Sequence, residues 1–289
     1  MKYARKMLPA APSPLIYKFL RNKNIELNSK KCKGDEILKA GDLICFYLSD
    51  ETYDKFHKEK HEKDAPTLNP GDILYEDDDY LFYNKAPGTV VQGDGTGRIS
   101  LNDMLISYTG TSGIFRPSIC NRLDTNTSGI VMCGKSISGL RILGDAIKNR
   151  RVKKIYRAIL SGVIPEDSLH MVSFHRLDEK ENKVIISDTP VKGAKEIITD
   201  LTVLRRMKDA TYAELELVTG RKHQIRAQSA FFGYPVLGDP KYGREASGKA
   251  GPKRQLLHAA TVILPEDILE GMRVEAPLPE DMENYLERH

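Results

Sequence analysis

One carboxylate on a polar turn is the group best placed to do chemistry in this sequence. Asp124 is followed by Thr, Asn, Thr, Ser and Gly, and apolar residues lie on either side at 119–120 and 129–132. These polar residue types bend the backbone and bond to it locally. The pattern predicts a loop between two strands that presents Asp124 with Arg122 beside it. Taken alone, the same residues also fit an ordinary turn without a chemical role.

A second candidate is a tyrosine on a strand that begins in a basic cluster. Tyr156, Ala158 and Leu160 alternate along the chain and therefore share one face. A phenol in a cleft can stack on a base and exchange a proton, whereas a core tyrosine needs only a partner for its hydroxyl. We expect the basic side chains of this segment to bind phosphates, namely Arg150, Arg151, Lys153 and Lys154.

A third candidate is a guanidinium near the start of a helix. Residues 213–217 alternate as a half-buried strand, a Thr-Gly pair turns the chain, and a helix is predicted over 223–232. Arg226 lies on the same side of this segment as Lys222, four residues earlier. His223 has no neighbour at metal-ligand spacing, so we interpret it as a hydrogen-bonded structural histidine and predict no metal site.

A lysine stands at the end of another apolar strand. Lys85 follows residues 81–84 and precedes a Pro-Gly turn, after which residues 89–91 are predicted to form a second strand. By itself this segment fits a hairpin with an exposed lysine.

The elements that would position these groups form an α+β fold with a largely antiparallel sheet. From residue 71 onward, short apolar runs separated by Gly and Pro outnumber the helical patterns. The predicted strands are 73–75, 80–84, 118–120, 129–134, 154–161, 183–186, 194–203 and 210–218. The predicted helices are 101–108, 138–148 and 223–232.

The first fifty residues form a separate, strongly basic segment. Before residue 34, nine Lys and Arg residues face one acid, Glu26. A helix is predicted over 13–24 with Ser13 as its N-cap, and short strands follow at 25–28 and 43–48. The side chains that we expect to reach phosphates here are Lys18, Arg21, Lys23 and Lys31.

This basic segment resembles the small RNA-binding domain of ribosomal-protein S-four type over residues 12–50, with the start of that domain's first helix incomplete. The resemblance implies a small α/β RNA-binding domain at 1–52, and the alternative is a solvated basic helical hairpin. Residues 53–70 are dense in charge and end with two prolines, so we interpret them as a linker that is partly helical. The catalytic domain would then span 71–289.

Four ordered motifs resemble those of the RluA-type pseudouridine synthases, which isomerise uridine in RNA. The matching segments, in that family's order, are 84–88, 122–129, 154–158 and 220–226, followed by 238–239, 242–243 and 257–259. Two positions depart from the family's usual residues. Asn121 stands where many members have His, and Lys222 replaces a usual Thr or Ser.

The resemblance implies the pseudouridine synthase fold, a large mixed and mostly antiparallel sheet with flanking helices, and it implies residue roles. Asp124 would be the nucleophile on a flipped uridine, Tyr156 would stack on the base and take part in proton transfer, and Arg226 would be the cation beside the nucleophile. Elementary chemistry agrees, because a carboxylate in a pocket stays ionised only with a cation at contact distance. Arg122 would fill the space that the flipped base leaves, and Arg221 would bind RNA.

The same resemblance implies no metal and no organic cofactor. RNA is the expected partner, with large-subunit ribosomal RNA as the expected substrate and tRNA as the alternative.

Two other classes of protein stay open at this point. An RNA-binding or RNA-folding protein without catalysis would also carry the basic segments, but it has no need of Asp124, Tyr156 and Arg226 together. A haloacid-dehalogenase-like phosphatase places a second acid two residues after its nucleophile, where this chain has Asn126.

The amino-acid composition helps to predict the cellular compartment of the protein. The net charge of +4 is only a weak indication of an anionic partner, and the four cysteines show no Cys-x-x-Cys spacing, which favours free thiols in a reducing compartment. No apolar run approaches membrane-spanning length, and residues 1–14 lack the apolar core of a signal peptide. We expect a cytoplasmic protein that acts as a monomer.

Overall fold

The computed structural model describes residues 2–57, 66–93, 97–110, 115–178, 183–243 and 251–289. The chain forms two compact units, a small one of Met1–Pro66 with Gly110–Arg116 and a large one of Thr67–Thr109 with Pro117–His289. The division after Pro66 falls inside the segment 53–70 that we interpret as a linker. That segment begins within a helix, and its residues 58–65 lie outside the described part of the chain.

The small unit packs the first two of its three helices on a three-stranded sheet. Its elements are α1 (Lys2–Met7), α2 (Ser13–Arg21), β1 (Ile25–Leu27), β2 (Lys30–Lys31), β3 (Ile44–Phe46) and α3 (Asp50–His57), with sheet order β2-β1-β3. The amphipathic pattern of α2 buries Ile16 and Leu20 against Ile25 of β1. This face leaves the basic residues of α2 in solvent.

Two local predictions for the small unit were wrong. Pro12, not Ser13, occupies the N-cap of α2, and Ser13 is already helical with its hydroxyl accepting a hydrogen bond from Arg5. The helix ends at Arg21 instead of residue 24, because Lys23 adopts a left-handed backbone conformation with φ of 60° that no α-helix accommodates.

The large unit is built on one mixed sheet flanked by helices, as predicted. Its strands are β4 (Ile73–Glu76), β5 (Tyr80–Lys85), β6 (Ser118–Ile119), β7 (Ser128–Gly134), β8 (Lys153–Ser161), β9 (Ser168–Asp178), β10 (Lys183–Ser187), β11 (Lys195–Arg206), β12 (Ala210–Leu217), β13 (Leu257–Ile263) and β14 (Arg273–Glu275). The order is β10-β9-β11-β12-β8-β13-β7-β5-β4, with β14 on β13 and β6 on β7. Within this sheet the pairing of β13 with β7 is parallel and the other described pairings are antiparallel.

Both faces of the sheet are covered at strand β7. Every residue of β7 is buried, and alternate side chains enter different cores. Ile130 and Met132 belong to one core together with Leu143 of a flanking helix, whereas Val131 and Cys133 belong to the other. The helices are α4 (Leu101–Thr109), α5 (Ile137–Lys148), α6 (Gln224–Phe231) and α7 (Glu280–Arg288). A continuous apolar run without alternation is the expected sequence of such a doubly covered strand.

The segment after Lys85 differs from its prediction in two respects. Residues 89–91 do not form a strand, because the carbonyls of Val90 and Val91 accept hydrogen bonds from the first backbone N–H groups of α4. Lys85 itself is fully buried, so the interpretation as a hairpin with an exposed lysine was wrong. Across the described residues, no helix is both long enough and apolar enough to cross a membrane.

Candidate active site

The loop that carries Asp124 is anchored from several sides. It runs from β6 to β7, and the N–H of Thr127 closes it on the carbonyl of Asp124 at 3.0 Å. The carbonyl of Thr125 accepts hydrogen bonds from the N–H of Gly88 at 2.9 Å and from Nζ of Lys85 at 2.9 Å. The turn predicted from the sequence is therefore present, and it serves to hold one carboxylate in a fixed place.

Lys85 supports this loop from inside the protein. Its ammonium donates to three carbonyls, those of Ala86, Thr89 and Thr125, at 2.9, 3.1 and 2.9 Å. Burial, assisted by the charge of Arg254 and opposed by that of Asp124, lowers the pKa of Lys85 to about 7. The lysine thus takes a structural place behind the loop.

Gly129 lets the loop end where another strand passes very close. It has φ of +108°, and a Cβ there would lie 2.2 Å from the carbonyl oxygen of Ala259 on β13. Ala259 is also in register with Tyr156 on the far side of β13. One residue of β13 therefore sets the spacing between the end of the Asp124 loop and Tyr156.

Arg226 lies directly against the carboxylate. Its Nη1 donates to Oδ2 of Asp124 at 2.6 Å, while Nε and Nη2 donate to the two oxygens of Asp239 at 2.7 and 2.9 Å. Burial disfavours the charge of Arg226, but the hydrogen bonds and charges of Asp239 and Asp124 outweigh it and raise its pKa. The guanidinium is a permanent cation in direct contact with the Asp124 carboxylate.

Asp239 is a contributor that the sequence interpretation missed. Its side chain is fully buried beside Arg226, and it also accepts hydrogen bonds from the backbone N–H groups of Lys241 and Tyr242. Burial raises its pKa, but its bonds with Arg226 dominate and the pKa of Asp239 is lowered. The only signal in the sequence was its place after Gly238 in the segment that extends the family resemblance.

Tyr156 lies in the interior beneath the same carboxylate. It is 8% exposed, its side chain is part of the core face shared with Ala158 and Leu160, and it lines the cleft together with Asp124. Burial, reinforced by the charge of Asp124, raises the pKa of Tyr156 well above its usual range. The phenol is therefore neutral, presents an apolar ring to the cleft and acts as a hydrogen-bond donor.

His223 completes the site, although we interpreted it from the sequence as only structural. It occupies the N-cap position of α6 with φ of 51°, and its Nε2 lies 3.7 Å from Oδ1 of Asp124. Its Nδ1 is 2.8 Å from the hydroxyl of Tyr242. Burial lowers the pKa of His223 to about 4, with Asp124 opposing and Arg226 assisting this shift, so the ring is neutral at pH 7. No spacing rule in the sequence indicated this contact, because it depends on the turn before α6.

The cleft in front of Asp124 is basic. A cavity of about 600 Å³ is lined by Asp124 and Tyr156 and by four cations, Arg122, Lys154, Arg221 and Lys222. On another side Asp124 borders a second cavity of about 450 Å³. An anionic chain can therefore pass over the carboxylate while a planar group enters toward Tyr156.

The other predicted RNA-binding residues do not line this cleft. Arg151 forms a two-pronged ion pair with Asp267 at 2.7 and 2.8 Å, and Lys153 lies 3.8 Å from Glu216. Arg150 is exposed in the turn before β8. In the small unit, the predicted residues Lys18, Arg21, Lys23 and Lys31 are all exposed.

The described residues contain no group of three or more His, Cys, Asp or Glu side chains arranged to hold a metal ion. The four cysteines are free thiols. The side chains that meet at the site are the Asp124 carboxylate, the Arg226 guanidinium, a neutral imidazole and a neutral phenol.

Comparison with known proteins defines the class to which this arrangement belongs. The family model for RNA pseudouridylate synthases matches residues 79–231, a range that contains Asp124, Tyr156 and Arg226. The chain belongs to this family, whose members are isomerases that convert uridine to pseudouridine in RNA.

Individual relatives extend the match beyond the family model. An uncharacterised RNA pseudouridine synthase of Bacillus subtilis is 36% identical over 75% of this chain and 72% of its own length. The ribosomal large subunit pseudouridine synthase D of Neisseria meningitidis serogroup B is 30% identical over 97% of this chain and 76% of its own. The synthase C of Vibrio parahaemolyticus is 29% identical over 98% and 90%.

Solved structures show the same fold. Human RNA pseudouridylate synthase domain containing 1 superposes with a TM-score of 0.60 at 24% identity, covering 76% of this chain and 97% of that one. Human RNA pseudouridylate synthase domain containing 4 gives 0.59 at 23% identity, covering 75% and 92%.

Proposed function

We propose that this protein isomerises uridine in large-subunit ribosomal RNA, with Asp124 as the nucleophile on a flipped uridine. The observation that carries the proposal is the contact between Asp124 and Arg226, at 2.6 Å, beside a neutral Tyr156 in a basic cleft. Two relatives that match nearly the whole chain are named for large-subunit ribosomal RNA, which favours that substrate over tRNA.

Each site residue has one part in the proposed reaction. Arg226 holds the carboxylate by an ion pair, so that a carboxylate oxygen can attack the uridine and the glycosidic bond can break. Tyr156 stacks on the uracil and holds it while the ring turns, and its hydroxyl donates a hydrogen bond to the base. Arg122, exposed at the mouth of the cleft, fills the gap in the RNA stack.

Phosphate contacts offset the cost of unstacking the base, which is a few kcal/mol. Lys154 and Arg221 line the cleft and bind phosphates next to the flipped nucleotide. The basic surface of the small unit, which resembles an S-four-type domain, adds sequence-independent affinity. The protein acts as a monomer, and its ribosomal substrate sets the cytoplasm as its place of action.

Tritium release from RNA labelled at the uracil 5-position tests the reaction, because carbon 5 loses its hydrogen when the new bond forms. We expect release from large-subunit ribosomal RNA, and none with Asp124→Asn, whose RNA affinity stays within about twofold since binding depends on cations. Asp188→Asn, an exposed carboxylate after β10, is the matched control with unchanged release.

Different outcomes separate the alternatives. RNA binding by the wild-type protein without any release would support a binding protein instead of an enzyme. Release from tRNA alone would contradict the proposed substrate, and turnover by Asp124→Asn would contradict the nucleophile. Pseudouridine mapping in RNA from a strain that lacks this gene then identifies the modified position.

A further inference from the structure

The two oxygens of Asp124 lie in different surroundings. Oδ2 accepts a hydrogen bond from Arg226 at 2.6 Å, and this charge-assisted bond engages its lone pairs. Oδ1 faces Nε2 of His223 at 3.7 Å, which is longer than a hydrogen bond. In the resting protein Oδ1 is thus the more available oxygen, with an imidazole nitrogen one small movement away.

The surroundings of the imidazole decide which of its nitrogens carries the proton. The backbone N–H of Val184 donates to the hydroxyl oxygen of Tyr242 at 3.0 Å. The same hydroxyl lies 2.8 Å from Nδ1 of His223 and can donate its own hydrogen to that nitrogen. With that donation, the single N–H of the neutral imidazole lies on Nε2, toward the Asp124 carboxylate.

The charges around the ring support a neutral donor. Asp124 favours a proton on the ring, whereas Arg226, Lys222 and Lys241 disfavour a full positive charge. The left-handed backbone of His223, with φ of 51°, is strained for a residue with a Cβ. Such a conformation places the ring over the carboxylate.

We propose that His223 is a positioning residue for the nucleophile, oriented by Tyr242, and that Oδ1 is the oxygen of Asp124 that attacks uridine. This inference rests on the proposed role of Asp124. In the first half of the reaction Oδ1 forms a bond to a uridine carbon, and the electron pair displaced from that carbon stays on the uracil. The new bond breaks in the second half, when its electron pair returns to Oδ1, and the Nε2–H group stabilises that returning negative charge.

The consequence is a specific kinetic defect. Without the Nε2–H group the covalent intermediate breaks down more slowly than it forms, so it accumulates. For His223→Ala we expect turnover to fall roughly 10- to 100-fold, as for loss of a hydrogen bond to a charged group. We also expect an enzyme–RNA adduct that survives denaturing electrophoresis in single-turnover experiments. RNA affinity stays within about twofold, because the ring contributes no cation.

Two further variants separate this role from a purely structural one. His223→Gln keeps an N–H donor and restores at least part of the missing rate. Tyr242→Phe keeps the ring that lies 5.4 Å from the Arg226 guanidinium and removes only the hydroxyl, so it gives a smaller accumulation of adduct. His170→Ala, an exposed histidine paired with Asp200 on the outer strands, is the control with unchanged turnover.

The outcomes are distinct from those that test the proposed function. An inactive wild-type protein, or an active Asp124→Asn variant, would remove the basis of the inference before His223 is considered. With an active wild type and an inactive Asp124→Asn, normal turnover by His223→Ala overturns the positioning role. A slow His223→Ala variant that shows no adduct and no rescue by Gln also overturns it.

Discussion

At the scale of single residues, the candidate site depends on one guanidinium that serves two carboxylates. Arg226 uses two of its donors on Asp239, which is buried, and one on Asp124, which reaches the cleft. The pair with Asp239 fixes the plane of the guanidinium, so that Nη1 can point only toward Asp124. A lysine, with a single flexible point charge, cannot make this bridge.

Replacement of Asp239 tests that arrangement. In Asp239→Asn the guanidinium loses its fixed plane and one buried negative partner, so we expect turnover to fall more than tenfold. The free energy of unfolding should fall by about 3 kcal/mol, as for removal of one member of a buried pair. Urea denaturation and single-turnover tritium release measure the two effects. If stability falls while the release rate per folded molecule is unchanged, Asp239 does not position Arg226.

A buried histidine makes stability depend on pH. His258 is 1% exposed and bonded to Ser128, and burial lowers its pKa to about 4, while its bond to the Ala276 carbonyl acts in the opposite direction. The unfolded chain takes up this proton below its usual pKa of about 6.5 and the folded chain only near 4. The unfolded state is therefore favoured as pH falls through this window.

As the pH falls from 6.5 to 4, we expect the protonation of His258 to lower the free energy of unfolding by up to about 3 kcal/mol. Urea titrations at a series of pH values, compared with His258→Gln, isolate the contribution, since His223 titrates equally in both proteins. A pH dependence of equal slope in the two proteins would contradict the assignment.

At the scale of elements, the close approach of β7 and β13 decides whether the site can form. For Gly129→Ala we expect a loss of at least about 3 kcal/mol in the free energy of unfolding, because the new Cβ would meet the backbone of Ala259 at a positive φ. Gly144→Ala in α5 is the matched control, with open space around the new Cβ and an expected gain of about 0.5–1 kcal/mol. Thermal unfolding of both variants measures the difference. Equal melting temperatures would contradict this account.

Much of this element pattern could be predicted from the sequence, and the exceptions have physical reasons. The strand at 210–217 alternates cleanly, so its prediction was confirmed to within one residue. β9 was missed because its residues Ser168–Asp178 mix His, Ser and Arg with apolar types and therefore give no clear strand pattern. In the sheet, β9 pairs with β10 on one side and with β11 on the other. β13 was noticed only as part of a motif, since seven residues without turn signals fit several structures equally well.

The part of the site that could be predicted is the part that the order of the four motifs along the chain identifies. Asp124, Tyr156 and Arg226 were predicted from the sequence, and the structure brings all three together. The burial of Lys85, the part of Asp239 and the contact of His223 with Asp124 were not predicted, because they depend on tertiary contacts between residues far apart in the chain. The spacing of residues in the sequence does not indicate which side chains of a turn face the interior of the protein.

At the scale of the whole molecule, the small unit should supply affinity and the large unit chemistry. We expect the combined replacement of Lys18, Arg21, Lys23 and Lys31 by Gln to weaken RNA binding. The logarithm of the binding constant should also fall less steeply with the logarithm of the salt concentration. The slope should change by about 0.7–0.9 for each phosphate that the protein no longer neutralises. Turnover at saturating RNA should be unchanged. Filter binding over a range of salt concentrations, with tritium release at saturation, provides the measurement.

A control of equal charge distinguishes a local surface from the effect of net charge. Replacement of the exposed Lys183, Lys192, Lys195 and Lys208 by Gln removes the same charge from the outer part of the sheet. We expect this variant to bind RNA nearly as the wild type does. If both variants lose the same affinity, the small unit has no special part in RNA binding.

The place of β13 in the sheet has a consequence for the order in which the protein is made. Residues 257–263 lie between β7 and β8 and hydrogen-bond to both, although they leave the ribosome about a hundred residues after β8. A nascent chain that ends before them has Asp124 and Tyr156 but lacks the strand that separates the two. The candidate site is thus assembled only after β13 has been synthesised, so that a shorter nascent chain has no complete site.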